Sequence, residues 1–286
     1  MTSLSLPAPA KLNRLLRICG RRANGYHELQ TLFQLLDHGD TLYVTALTHS
    51  NDIDLAPAMP EIATEDNLIV RAARLLQQET GCRAGARFKL EKRLPMGGGL
   101  GGGSSNAATA LLALNHLWEL KLDIETLATL GLRLGADVPV FVRGHTAWAE
   151  GVGERLVPVD LPNSWFVVIH PGVAVSTAAV FGDDGLTRDS AIISMRDALD
   201  GADADAAWRN DCERVVRARY PEVDRALTWL GQYGAAMLTG TGACVFCPLE
   251  SEARAIEVLG RVPDEWHAFK AQSCTRSPLH QHLGIA

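Results

Sequence analysis

The chain has 286 residues, 47% hydrophobic and 21% charged, enough to bury a full core in one large or two modest domains. Its net charge of −6 argues against a broad nucleic-acid-binding face, and no apolar run approaches the roughly 18 residues needed to cross a bilayer. Anionic small molecules stay open as ligands, because local charge governs such sites. No nucleic-acid or membrane partner is expected, and oligomeric state is not legible.

The N-terminal segment lacks a secretory apolar core. Arg14, Arg17, Arg21 and Arg22 precede the first acid, Glu28, a composition that suits a transit peptide. Leu12, Leu15, Leu16 and Ile18 also fit a buried strand, and that reading is preferred, with a cytoplasmic setting. Residues 40–47 read as a strand. Asp66 is placed to cap a helix from about Asn67 to Glu79, with Leu68, Ala72, Leu75 and Leu76 on one face. Residues 86–91 alternate as a strand that Pro95 ends. Ala107, Ala110, Leu111, Leu114 and Trp118 recur at helical spacing, and Leu127, Leu130 and Leu134 predict a second helix stopping at Gly135.

Ala136-Asp137-Val138-Pro139 reads as a turn and 145–150 as extended chain. Pro158, Pro162 and Asn163 suggest a boundary near residue 155, giving domains 1–155 and 156–286. Trp165 to Ile169 is a buried-strand run. Helical patterns cover 203–219 and 222–232, followed by a strand from Ala243 to Cys247 and a helix near 251–260. Strands and helices mix without strict βα alternation, so the class is α+β.

Six cysteines are scattered through the chain, which suits a reducing compartment. Cys244-x-x-Cys247 is the one close pair; with no second pair or His pair nearby it reads as part of a buried strand rather than a zinc site. His38, His116 and His145 have no convergent partners.

The most informative segment is Gly97-Gly98-Gly99-Leu100-Gly101-Gly102-Gly103, which runs into Ser104-Ser105-Asn106 and a helical stretch. Such a loop brings bare backbone N–H groups to a ligand, and a helix start adds unpaired donors and a positive dipole end, so phosphate handling is expected. A Walker loop needs a lysine after the last glycine, and Ser104 stands there. Gly97-x-Gly99-x-x-Gly102 formally matches a dinucleotide fingerprint, but charged residues and Pro95 interrupt the strand that should lead into it.

The segment from Pro95 to Ala108 resembles the P-x-x-x-G-L-[GS]-S/G-S-[SA] signature of the GHMP kinases, small-molecule kinases typified by galactokinase, homoserine kinase and mevalonate kinase. Pro9-Ala10-Lys11-Leu12-Asn13 and Leu238-Thr239-Gly240-Thr241-Gly242-Ala243-Cys244 resemble two further family motifs at the expected places. Arg22-Ala23-Asn24-Gly25-Tyr26-His27, Asp66-Asn67-Leu68, Leu134 to Pro139 and Ala149 to Glu154 are similar to one branch of that family. This branch phosphorylates the 2-hydroxyl of a cytidine-diphosphate-linked methylerythritol in the non-mevalonate isoprenoid pathway. The resemblance covers nearly the whole chain and is weakest around 183–210 and in the C-terminal tail.

The resemblance implies a two-domain GHMP-kinase-like fold. Its N-terminal domain would be ribosomal protein S5 domain 2-like, and its C-terminal domain a ferredoxin-like α/β sandwich. It implies ATP as co-substrate and a cytidylyl sugar alcohol as acceptor. Mg²⁺ is expected from the reaction class, with protein ligands unassigned. Asp137 takes the place of the catalytic base, although an Asp here also suits a simple turn cap. Lys11 is the cation expected to hold Asp137 charged and to screen the transferring phosphoryl group.

Pro95, Met96, Gly97, Gly98, Gly99, Leu100, Gly101, Gly102, Gly103, Ser104, Ser105 and Asn106 would bind the nucleotide phosphates, with Asn67, Leu68 and Lys92 on the adenine side. Tyr26 and His27 would recognise cytosine, and Phe181 would complete an aromatic sandwich, though a Phe is by default core. Asn13 and Thr177 would contact the erythritol or diphosphate, and Thr239, Gly240, Thr241 and Gly242 would face the substrate phosphates. The rivals are a GHMP kinase for another small alcohol, a non-catalytic ATP-binding protein and a dehydrogenase.

Overall fold

The computed structural model describes residues 2–23, 25–57, 62–200 and 208–285. Two long strands form its spine. β1 (Ser3–Arg21) pairs antiparallel with β2 (His27–Leu47) along their whole length. Leu12, Leu15, Leu16 and Ile18 are all buried within β1, as their pattern predicts. The ladder is irregular between Pro9 and Lys11 and between Asn13 and Leu15. These breaks bracket Lys11 and Asn13, which lie two residues apart and so share a face; such bulges re-aim side chains locally.

β3 (Ile53–Leu55) and β4 (Gly85–Glu91) extend the sheet from β2 on one side, and β5 (Ala147–Gly151) with β6 (Arg155–Pro158) complete this half. Helices α1 (Leu68–Thr80), α2 (Gly102–Leu117), α3 (Ile124–Leu132) and α4 (Val138–Arg143) pack with it. α2 is apolar nearly all round and buried from Ser105 to Leu114, as a central core helix must be.

In the second half, β7 (Trp165–His170) lies between β9 (Val245–Leu249) and β10 (His267–Cys274), with β8 (Met237–Leu238) beyond β9. Helices Glu213–Arg219, Pro221–Leu230 and Glu252–Leu259 bury their apolar faces in this half's core. Two short helices, α5 (Thr177–Phe181) and α6 (Met195–Asp200), lie between β7 and residue 208. β10 also pairs with β2, through Ser273–Leu36 and Cys274–Leu35, so one hydrogen-bonded path crosses both halves. Among the described residues every strand pair but β3–β4 is antiparallel, which accords with the α+β class.

Several elements depart from their sequence reading. Asn67, not Asp66, caps α1, its side chain accepting from the Ile69 amide at 3.0 Å, while Asp66 belongs to a preceding 3-10 turn. Val138 and Pro139 begin a helix rather than close a turn; proline at a helix start sacrifices no bonded N–H. The helix expected over 203–219 starts at Glu213; residues 208–212 are non-helical, and 201–207 lie outside the described residues. Ala243 and Cys244 precede β9 and pair instead with the glycine loop. All six cysteines are free.

A third apolar cluster sits at the joint, where Leu12 and Leu36 meet Phe166, Phe246 and Phe269. Phe166 and Phe246 meet edge-on with ring centroids 5.9 Å apart. Because both halves share this cluster, Phe166→Ala should cost about 3–5 kcal/mol. In urea, fluorescence and far-UV circular dichroism should still report one coincident transition at a lower midpoint; separated transitions would show that the halves unfold independently.

Candidate active site

The side chain of Lys11 is almost fully buried, and burying an ammonium is costly unless it is paired and hydrogen-bonded. Its Nζ donates to Asn13 Oδ1 at 2.6 Å and to the Gly99 carbonyl at 2.9 Å, and it lies 3.3 Å from Asp137 Oδ2. The Phe33 ring lies beneath it, 5.4 Å from Nζ to the centroid. The pair is asymmetric: the Lys11 side chain is 4% exposed and that of Asp137 33%. Asp137 occupies the N-cap position of α4, yet its side chain makes no capping bond. Its carboxylate is committed to Lys11 and to the cleft.

α4 holds Asp137 rigidly because Val138 to Val142 are all buried. The far end of α4 is tied down by the C-terminal helix Pro278–Leu283, whose buried His280 Nε2 lies 2.8 Å from the Val142 carbonyl. That gives the C-terminal tail, opaque in the sequence, a role in mounting α4.

Asn13 links the two halves. Its amide donates to the Thr239 hydroxyl at 3.0 Å, and its Nδ2 donates to the Thr31 hydroxyl at 2.9 Å. Thr239 Oγ1 also lies 3.2 Å from the Gly99 carbonyl. The 239–244 turn pairs with the glycine loop, Ala243 N donating to Gly97 O and Cys244 N to Gly98 O, each at 3.1 Å. Two glycines are obligatory for steric reasons. Gly99 has φ +75°, and a Cβ there would lie 2.1 Å from the Thr239 carbonyl oxygen. Gly101 has φ +72°, and its Cβ would meet the Phe141 ring at 2.8 Å. Part of the glycine requirement is thus protein packing, not ligand approach alone.

α2 starts directly after Gly101, and no side chain caps it. Its first amides stay available to a ligand, as at other anion-binding helix starts. Behind them, Ser105 Oγ and Asn106 Oδ1 are buried without a hydrogen-bond partner among the described residues.

Two cavities meet at this point. The larger, of about 770 Å³, is lined by Lys11, Asn13, Tyr26, His27, Thr177, Phe181, Asp137, Gly240 and Thr241 among others. The smaller, of about 370 Å³, is lined by Asn67, Leu68, Lys92, the run from Pro95 to Ser104, and Asn106. Gly99, Gly101 and Ser104 line both. Three residues singled out in the sequence, Ser105, Thr239 and Gly242, line neither. Each is buried behind the wall, and Thr239 serves there as the hydrogen-bonding link just described.

In the larger cavity His27 and Phe181 are stacked, ring centroids 4.8 Å apart and planes 23° from parallel. Tyr26 stands at the rim, 62% exposed. Burial and the nearby Arg188 and Arg21 cations push the His27 pKa below its ordinary value of 6.5. α5 presents Thr177 and Phe181, four residues apart, to the same cavity, and Thr177 shares a 2.9 Å hydrogen bond with Thr241.

Three supporting residues gave no sequence signal. Asp40 is buried and accepts from the amides of Arg93 and Leu94, from Asn106 Nδ2, and from Lys92 Nζ at 2.6 Å. It thereby fixes the chain that leads into the glycine loop. Asn210 Nδ2 donates to the carbonyls of Leu238 and Gly240, each at 2.8 Å, and so shapes the second turn. Arg188 donates to His27 Nε2 at 3.3 Å.

Comparison with known proteins accords with this arrangement. The model of the GHMP kinases N terminal domain matches residues 67–145, and that of the GHMP kinases C terminal domain matches 195–268. The chain belongs to the GHMP kinase family. The 4-diphosphocytidyl-2-C-methyl-D-erythritol kinase of Chromohalobacter salexigens is 63% identical to it over 286 residues, covering 100% of this chain and 96% of that protein. The Pseudomonas paraeruginosa protein of the same name is 54% identical over 280 residues, covering 98% and 97%. A crystal structure of 4-(cytidine 5'-diphospho)-2C-methyl-D-erythritol kinase superposes with a TM-score of 0.79 at 33% identity, covering 94% of this chain and 99% of that one. Mevalonate kinase of Methanococcus jannaschii, at 15% identity, shares the fold with a TM-score of 0.67, covering 96% and 98%.

Asp40→Ala removes one carboxylate from four donors at once. Leaving the partly exposed Lys92 ammonium, two backbone amides and the Asn106 amide without their shared acceptor should cost about 1–3 kcal/mol, read as a lowered urea midpoint. A change below the error of the measurement would remove Asp40 as the anchor of this loop.

Proposed function

We propose that this chain is an ATP-dependent kinase that transfers the γ-phosphoryl group to the 2-hydroxyl of 4-diphosphocytidyl-2-C-methyl-D-erythritol, a step toward isoprenoid precursors. Relatives that share more than half its residues over essentially its full length bear that activity in their names. The observation that carries the reading is the Lys11–Asp137 pair in the larger cavity, beside the glycine stretch shared with the smaller one.

On this reading the smaller cavity takes the adenosine, with Asn67, Leu68 and Lys92 on its walls. The amides of the glycine loop and of the first turn of α2 hold the polyphosphate, and the Ser104 hydroxyl lies where the cavities meet. The larger cavity takes the cytidylyl alcohol. Tyr26, His27 and Phe181 receive the base, while Asn13, Thr177, Thr241 and Gly240 lie toward the diphosphate and the branched tetrol.

Phosphoryl transfer asks mainly for positioning and charge stabilisation. The acceptor oxygen forms a bond to the γ-phosphorus as the bond to the bridging oxygen breaks and ADP leaves with that electron pair. Asp137 takes the hydroxyl proton and later passes it to water. Lys11 faces the same oxygen and stabilises the negative charge that develops there.

A divalent ion such as Mg²⁺ supplies charge neutralisation on the phosphates and is expected to arrive with the nucleotide. Among the described residues no cluster of three His, Cys, Asp or Glu is arranged to hold a metal. On this reading Asp137 and Ser104 would be the side chains placed to hold the ion. No described helix is long and apolar enough to cross a membrane, and we read the enzyme as cytoplasmic.

The discriminating experiment is ATP consumption across a panel of acceptors. Turnover should appear with the cytidylyl methylerythritol and not with mevalonate or homoserine; turnover with either of those alone would overturn the substrate assignment. Asp137→Asn should lower kcat by roughly 10²–10⁴ with ATP binding retained. Full activity in that variant would eliminate Asp137 as the base.

A further inference from the structure

Arg188 lies between α5 and α6 on a segment that the recognition motifs do not reach. Its guanidinium is pinned by three carbonyls. Nη2 donates to Phe181 O at 2.9 Å and to Asp183 O at 2.7 Å, and Nη1 donates to Leu186 O at 3.2 Å. This clamp leaves the single Nε–H aimed at His27 Nε2, 3.3 Å away.

A guanidinium has five N–H donors, no acceptor, and keeps its proton in proteins. The His27 nitrogen facing it must therefore accept, which requires a bare lone pair on Nε2. Only one of the three imidazole states provides that: the neutral ring with its proton on Nδ1. The other tautomer and the imidazolium would both set N–H against N–H. The surrounding charge acts in the same direction. Arg188 from its own segment and Arg21 from β1 face the ring as cations, and among the described residues no carboxylate offsets them. The stacked Phe181 ring fixes the plane, and its carbonyl is one of those that hold Arg188. Among the described residues nothing hydrogen-bonds His27 Nδ1, and His27 lines the larger cavity.

We propose that Arg188 is a positioning residue that locks His27 in the neutral Nδ1–H tautomer, so that the ring offers the base a hydrogen-bond donor. This deepens the substrate reading above and rests on it. Cytosine has an acceptor at ring nitrogen N3, whereas uracil carries a hydrogen there. A fixed donor at Nδ1 matches the first and opposes the second, so Arg188 sets the choice of cytidylyl over uridylyl acceptors without touching either.

The tautomer is measurable without any substrate. In ¹⁵N-histidine-labelled protein, two-bond ¹⁵N–¹H correlation spectra should show His27 with a protonated-type Nδ1 and an unprotonated-type Nε2, the signal being assigned by its loss in His27→Gln. This pattern should persist through pH 6.5. In Arg188→Met the ring should become a tautomer mixture and protonate at higher pH than in the parent. The KM for the cytidylyl acceptor should rise about tenfold, the equivalent of one lost hydrogen bond. The KM for ATP should stay unchanged, and discrimination against the uridylyl analogue should fall; Arg188→Lys should recover only part of the loss.

A protonated Nε2 in the parent protein would overturn the proposal, whether or not the variant folds. An Arg188→Met protein with unaltered tautomer and pH profile would overturn it equally. Failure of the cytidylyl reading would appear separately, as absent turnover in the acceptor panel with the tautomer intact.

Discussion

One ammonium group organises the site. Lys11 Nζ touches its own strand through Asn13, the glycine loop through the Gly99 carbonyl, and the start of α4 through Asp137. Removing such a charge from water costs several kcal/mol, offset here only if all three partners are held in place. The architecture around Lys11 meets that requirement. Ladder irregularities in β1 bracket Lys11 and Asn13, Gly101 gives room for the Phe141 ring of α4, and Thr239 supports Asn13 and the Gly99 carbonyl from the other half of the chain.

The Lys11–Asp137 pair is unequal in a way that bears on chemistry. The cation is nearly buried at the cavity wall, whereas the carboxylate is one-third exposed. A buried cation with fixed partners keeps its orientation. An accessible carboxylate can both reach an incoming hydroxyl and return the proton to water. The reverse arrangement, with a sealed acid and an exposed lysine, would strand the proton and leave the charge on a flexible stem. On the proposed reading, burial therefore divides the labour between the two residues, a fixed cation that stabilises charge and an accessible carboxylate that moves the proton.

What the sequence disclosed and what it concealed follow from range. The glycine run, the helix after it and the apolar strands were legible because their signals are local: backbone freedom, period 3.6, continuous hydrophobicity. α4 reads as a turn in the sequence because six residues carry too little periodicity and Asp-Val-Pro is good turn chemistry. The cap of α1 reads one residue early because Asp66 and Asn67 are both competent, and only the backbone decides between them. Asp40, Asn210 and Arg188 were invisible for another reason. Asp40 bonds residues 52 to 66 positions away, Asn210 turns 28 to 30 away, and Arg188 reaches a ring 161 positions away. Nothing local marks such residues, since their importance lies in what the fold brings to them.

These long-range anchors also explain why the larger cavity draws on both halves. A site that must hold reacting groups to within about 0.5 Å gains little from walls on separately mobile units. Here the joint between halves is itself a structural element: β10 pairs with β2, Phe166 and Phe246 pack on Leu12 and Leu36, and the 239–244 turn interlocks with the glycine loop. Gly99 shows the tightness of that joint, since a single added carbon would overlap the Thr239 carbonyl. The glycine loop is thus shaped from behind by the opposite half. On the proposed reading its bare amides are preorganised for phosphate, and the cost of fixing so many glycines is met during folding rather than at each binding event.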